Sequence, residues 1–220
     1  MITGAIFDLD GTLLDSMQVW NNVGEQYLRC LGIEAEPDLG RLMFPMSMVQ
    51  GAEYLKERYR LQFDTDEIIN GLNNIIQDFY DNQVQLKRGV KQFLDEMKKC
   101  GIKMTVATLS ERYLIEKAMD RLGILTLFDR IFTCSEVGTG KSEPDIFLAA
   151  KQYMDTEISC TWVFEDAQYA IQTAKNAGFR IAGVYDASSM DEQKEIREIS
   201  DIYLYDLADF TAFMELANHI

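Results

Sequence analysis

From about Lys87 onward, short apolar runs alternate with segments whose apolar residues recur at helical spacing, and this alternation restricts the fold more than any other feature. Residues 89–99 place Val90, Phe93, Leu94 and Met97 on one helical face and end at Cys100-Gly101. A strand is expected over 102–107, a helix over 111–122 ending at Gly123, a strand over 130–134, and a helix over 144–153 with Pro144 near its first turn. Strand 161–164, helix 167–177 before Gly178, strand 180–184, helical stretch 189–198, strand 202–204 and a helix from Leu207 complete the series. Repeated β-α units of this kind imply a mostly parallel sheet with helices on both faces.

Between the first apolar run and this series the pattern changes to helical periods alone. Helices are expected over 16–31, with Val19, Trp20, Val23, Tyr27 and Leu28 on one face, over 47–59, and over 65–82, which carries Ile68, Ile69, Leu72, Ile75, Ile76 and Phe79. The expected organisation is α/β: a doubly wound parallel-sheet (Rossmann-like) core domain, 1–14 and 88–220, with an inserted all-helical cap, 15–87. The chain passes between the two parts near 13–16 and 83–88.

The first apolar run, Ala5-Ile6-Phe7, leads straight into Asp8-Leu9-Asp10-Gly11-Thr12. Open α/β sheets place their chemistry at such carboxyl ends of strands. With a period of two, Asp8 and Asp10 point the same way, so one can attack while the other carries a proton, and either can help hold a cation. The competing reading is a solvated turn that merely ends the strand.

The 220 residues carry a net charge of −15, which argues against a nucleic-acid surface. A local lysine and one bound cation can still reverse the field in a cleft for a small anion. The sole histidine, His219, lies near the C-terminus, which speaks against histidine triads and histidine-ligated transition metals. Cys30, Cys100, Cys134 and Cys160 are scattered, a pattern that suits buried thiols in a reducing compartment. No bilayer-length apolar stretch and no leader pattern is present, so a cytoplasmic protein without membrane contact is expected.

Three later segments complete a constellation. Val106-Ala107-Thr108-Leu109-Ser110 ends a strand in hydroxyls, although Thr108 alone reads as readily as a helix cap, and Ser110 is expected to cap the next helix. Gly140-Lys141-Ser142-Glu143-Pro144-Asp145-Ile146-Phe147 places a lysine before a helix, and Trp162-Val163-Phe164-Glu165-Asp166-Ala167 ends a strand in an acidic pair. Asp166 can also be read as an N-cap. Gly140-Lys141-Ser142 imitates the tail of a nucleotide-binding P-loop, but Ser135 stands where that motif needs glycine.

In this order the four segments resemble the haloacid dehalogenase-like hydrolase superfamily, in its helical-cap, beta-phosphoglucomutase and phosphatase-like branch. The resemblance covers nearly the whole chain, departing at Ser142, where proline is common. It implies Asp8 as a nucleophile forming an aspartyl-phosphate, Asp10 as acid and base, and Lys141 pairing with Asp8 and the phosphate. It further implies phosphate binding by Thr108 and the backbone at Leu109, and Mg²⁺ held by Asp8, Glu165, Asp166 and the backbone carbonyl of Asp10.

The implied activity is hydrolysis of a small phosphate monoester, with a small phosphorylated metabolite as the only partner and a monomer or weak dimer as the assembly. Two alternatives remain: a sugar phosphomutase, and a non-catalytic domain that senses phosphorylated metabolites. The mutase carries a cap histidine and a cap arginine; Trp20 stands at about the first position, and segment 43–48 offers no arginine for the second. Asp10 argues against dehalogenation, and Lys56, beside Glu53 and Glu57, reads as a solvated residue rather than a Schiff-base lysine. Trp20 and Met48 are the candidate substrate contacts from the cap, or else pack its core.

Overall fold

The computed structural model describes residues 1–43 and 46–220. They form two compact units, Met1–Asp15 with Gln85–Ile220, and Ser16–Val84. Phe44 and Pro45, part of segment 43–48, lie outside the described residues.

The chain opens on β1 (Gly4–Phe7), buried along its whole length, and then enters the helical unit. There α1 (Met17–Cys30) turns Val19, Val23, Tyr27 and Leu28 inward. The five-residue α2 (Leu39–Met43) was not expected, because one turn is too short to show a period. Both longer helices that follow begin at reciprocal caps. For α3 (Met48–Tyr59), Ser47 and Gln50 exchange side-chain-to-backbone bonds of 3.2 and 2.9 Å; for α4 (Thr65–Asn82), Asp64 and Glu67 do so at 2.8 Å each. The buried face of α4 is Ile68, Leu72, Ile76, Phe79 and Tyr80.

The remaining elements of the first unit are α5 (Val90–Lys99), β2 (Lys103–Thr108), α6 (Arg112–Arg121), β3 (Arg130–Thr133), α7 (Cys134–Val137), α8 (Asp145–Met154), β4 (Thr161–Glu165), α9 (Gln168–Asn176), β5 (Arg180–Val184), α10 (Gln193–Ile199), β6 (Ile202–Leu204) and α11 (Phe210–His219). The six strands form one sheet in the order β3-β2-β1-β4-β5-β6, with every neighbouring pair parallel. The stretch expected to be helical over 189–198 divides into a 3₁₀ turn (Ala187–Glu192) and α10. The last helix starts three residues later than expected, because the Asp209 carboxylate caps it at the Ala212 N–H, 2.9 Å away.

Strand alternation assigns the two faces of the sheet. Phe7 and Phe164 stack with ring centroids 4.4 Å apart. Phe93 of α5 and Phe213 of α11 pack against Phe164 at 5.7 and 5.3 Å, and Trp162 meets Phe213 at 5.4 Å. Ile6, Val163 and Ile181 belong to a second cluster with Ile146, Phe147 and Ile171, from α8 and α9. Among the described residues no helix is long and apolar enough to cross a membrane. The expectation of four buried thiols fails. All four are free, but Cys134 alone is buried, Cys160 is half-buried, and Cys30 and Cys100 are exposed at the ends of α1 and α5.

Gly89 shows how tightly this unit closes. It sits at φ +83° ahead of α5, and a Cβ there would stand 2.4 Å from the Ala208 backbone. Gly101, at φ +73° just beyond α5, has open space around its Cα. Gly89→Ala is expected to cost about 2–4 kcal/mol in urea unfolding, against about 1 kcal/mol for Gly101→Ala. Equal losses would mean that the close approach at Ala208 contributes nothing.

Candidate active site

The strand order reverses at β1, whose neighbours β2 and β4 lead to opposite halves of the sheet. In doubly wound sheets this reversal opens a crevice at the carboxyl ends of the strands. Asp8 follows β1 directly, and its N–H donates to the Phe164 carbonyl of β4 at 2.9 Å. Thr108 is the last residue of β2 and Glu165 the last of β4, with Asp166 next along the chain. The pairing therefore carries residues from three distant segments to adjacent strand ends. Lys141 comes from the turn ahead of α8 and is 2 % exposed. Its ammonium donates to Asp8 Oδ1 and, at 2.7 Å, to Glu165 Oε2.

Asp8, Glu165 and Asp166 each bring a carboxylate oxygen to within 4.8 Å of the others, and all three are buried. Glu165 and Asp166 are also held from their own sides. Glu165 Oε1 accepts the backbone N–H groups of Asp166 at 3.3 Å and Ala167 at 3.2 Å. Asp166 Oδ1 accepts the Thr12 hydroxyl at 2.8 Å. Gly11, at φ +87°, lets the motif's turn lie against this carboxylate, since a Cβ would stand 2.4 Å from Asp166 Oδ2.

The electrostatics follow from three acids facing one ammonium. Burial pushes the Asp8 carboxyl up to about 8; Glu165 adds to the push and the Lys141 ammonium opposes it. Burial also lifts Asp166 well above the usual carboxylate range, with Glu165 and Asp8 adding to it and the Thr12 hydroxyl opposing. For Lys141, burial alone would favour the neutral amine, but Asp8 and Glu165 outweigh it and hold the group charged. The cluster thus has oxygen-only donors and more negative than positive charge. Those are the requirements for holding a hard divalent cation.

Asp10 sits half-buried beside this group. Its carboxylate is not one of the three; Oδ2 instead accepts the Ser110 hydroxyl at 2.5 Å. The Ser110 N–H in turn donates to Thr108 Oγ1 at 3.0 Å, so one serine ties Asp10 to Thr108. This corrects the expected role of Ser110. The helix α6 starts at Arg112 with Glu111 in the cap position and no side-chain cap. Asp166 does not cap α9 either, since Ala167 takes that position. The Leu109 side chain is exposed, leaving its backbone as the group that can serve the site. Ser110 was open to discovery: on extended chain it points the same way as Thr108, two residues earlier.

Trp20 and Met48 belong to the helical unit. The Trp20 indole N–H donates to Tyr80 Oη at 3.1 Å, with the rings edge to face at 6.5 Å. Met48 opens α3 and is half-buried.

The chain is similar to known proteins. The model of a family described as haloacid dehalogenase-like hydrolase matches residues 5–184. The phosphorylated carbohydrates phosphatase of Thermotoga maritima is 24% identical over 200 residues, covering 90% of this chain and 92% of its own length. Beta-phosphoglucomutase of Bacillus subtilis is 26% identical over 211 residues, covering 90% and 91%. The crystal structure of a provisionally named beta-phosphoglucomutase from Thermotoga maritima shares the fold, with a TM-score of 0.87 at 21% identity over 97% of this chain and 99% of that one. The chain belongs to the haloacid dehalogenase-like hydrolase family.

Proposed function

We propose that this hydrolase is a Mg²⁺-dependent phosphatase of a small phosphorylated metabolite, working through an aspartyl-phosphate on Asp8. The observation that carries the reading is the buried carboxylates Asp8, Glu165 and Asp166 at adjoining strand ends, joined by Lys141 from the turn ahead of α8, with Asp10 held beside them by Ser110. An Asp8 oxygen attacks phosphorus as the ester P–O bond breaks, and the Asp10 carboxyl, as general acid, delivers a proton to the departing oxygen. Asp10 then takes a proton from water, whose oxygen attacks the same phosphorus. The Asp8–phosphorus bond breaks and inorganic phosphate leaves. Thr108, the backbone N–H at Leu109 and the Lys141 ammonium hold phosphoryl oxygens in both halves. Asp8, Glu165, Asp166 and the Asp10 carbonyl would hold Mg²⁺, which would supply positive charge to offset the phosphoryl charge.

The named relatives act on phosphorylated carbohydrates or carry the mutase name, so a sugar phosphate is the favoured substrate class. Substrate choice is assigned to Trp20 and Met48 of the helical unit. The mutase reading keeps support from a relative matched over 90% of this chain. A mutase would pass the phosphoryl group to another sugar hydroxyl oxygen instead of releasing it to water. A pure sensor would have no use for Asp10, yet both halves of the acid–nucleophile pair are present.

Purified protein with a panel of phosphorylated metabolites is expected to release phosphate only with Mg²⁺. Asp8→Asn should lose at least about 10³-fold in rate, and Asp10→Asn about 10²–10⁴-fold in both half-reactions. Near-parental turnover by Asp8→Asn would remove the covalent mechanism. Trp20→Ala and Met48→Ala should reorder the panel by about tenfold in kcat/KM while leaving the best general rate within a few-fold; an unchanged ranking would overturn their assignment.

The raised Asp8 carboxyl gives a further test on metal-free protein. Between the ordinary carboxylate value of 3.8 and about 8, the native state holds a proton that the unfolded chain has released. The unfolding free energy contributed by this group therefore falls as pH rises through that window. Asp8→Asn removes the effect, so without metal the variant should be more stable than the parent at pH 8, by about 1–3 kcal/mol, and the gap should shrink toward pH 5. Saturating Mg²⁺ should reverse the order. A parent already more stable than the variant at pH 8 in chelator would contradict the charge argument.

A further inference from the structure

We infer that Lys87 is a positioning residue of this site, clamping the Gly11–Thr12 turn that carries Asp10 on one side and holds Asp166 on the other. The inference rests on the phosphatase reading for its functional consequence.

Lys87 lies just past the helical unit, and its side chain is only 15% exposed. Each of the three ammonium protons has an acceptor: the Gly11 carbonyl, the Tyr185 carbonyl at 2.6 Å and Asp186 Oδ2 at 2.8 Å. Asp186 is itself fixed, because its other oxygen accepts the Ser188 N–H at 2.9 Å and the Ser188 hydroxyl at 2.7 Å. One point charge thus joins the end of β5 to the turn after β1. The planar fork of arginine could not address acceptors in three directions.

The backbone of Lys87 engages the same turn, its N–H donating to the Leu13 carbonyl at 2.9 Å, while the Asp15 N–H donates to Gln85 at 3.0 Å. On the far side of the turn stand the groups that matter for chemistry. The peptide whose carbonyl Lys87 grips runs from Gly11 to Thr12, and Thr12 places its hydroxyl on Asp166. The peptide before it carries the Asp10 carbonyl. Releasing the Gly11 carbonyl frees both peptides to rotate, which moves the Thr12 hydroxyl away from Asp166 and the Asp10 carbonyl out of register. Lys87 acts through these groups and has no reacting atom of its own.

The test compares the parent, Lys87→Met, Asp186→Asn and a surface control, Lys91→Met, by hydrogen exchange and by Mg²⁺ titration calorimetry. In metal-free Lys87→Met, exchange across residues 9–14 should rise about tenfold or more, with the central strands β2 and β4 unchanged. Its Mg²⁺ dissociation constant should rise about 10–100-fold, and kcat on the best substrate should fall while KM changes by less than about threefold. Asp186→Asn keeps both carbonyl contacts and should show the same pattern at about threefold, which decides the matter if Lys87→Met does not fold. Lys91→Met should match the parent throughout. Exchange over 9–14 within about twofold of the parent, or a rise shared equally with β2 and β4, overturns the clamp. A parent that neither binds Mg²⁺ nor releases phosphate overturns the phosphatase reading instead, while the exchange measurement still decides the clamp.

Discussion

One buried ammonium governs the carboxyl edge of this sheet. Lys141, almost without solvent contact, is shared between Asp8 and Glu165, and Asp166 stands within reach of the same centre. Burial and neighbouring charge push Asp8 and Asp166 toward the neutral form, and the ammonium opposes that push on Asp8. A single lysine does not complete the balance. Asp8 and Asp166 remain shifted upward, so ionising them together is costly, and further positive charge nearby would lower that cost. Three carboxylates that could hold a metal ion are brought together by the packing itself.

The rest of the unit exists to bring these groups together. Lys141 precedes α8, Glu165 ends β4 and Asp8 follows β1; none is close to another in sequence. Their meeting depends on parallel pairing of β1 with β4 and on the aromatic layer beneath. Phe7 and Phe164, stacked on each other, immediately precede Asp8 and Glu165. The residues that hold the sheet together are thus the covalent neighbours of those that carry the charge.

Most of this architecture can be read from the sequence, because periodicity and short motifs are local signals. The strand 180–184 and the helix 65–82 emerge from the apolar pattern alone, and Asp8, Lys141, Glu165 and Asp166 stand out as charged residues at the edges of expected elements. What escapes the sequence depends on partners distant along the chain. Ser110 looks like a helix cap until Asp10, a hundred residues earlier, is seen to accept its proton. Lys87 looks like any linker lysine until Tyr185 and Asp186 close around it. The helix α2 is hidden for a different reason, being shorter than the period that would reveal it. The exposed cysteines were misjudged because residue type predicts burial only on average.

The position of β1 also dictates the order in which the molecule can be built. The strand is complete by Phe7, yet one of its two neighbours in the sheet begins at Thr161. During synthesis at about 5–20 residues per second, the strand that leads into Asp8 must wait on the order of ten to thirty seconds for that partner. The helical unit, Ser16–Val84, is continuous in sequence and has no such wait. Its helices can fold while the first strand still has an open edge. An apolar edge left exposed for that interval is a point of vulnerability for the nascent chain. Here the strand held open is only four residues long, which limits the template it offers to other chains.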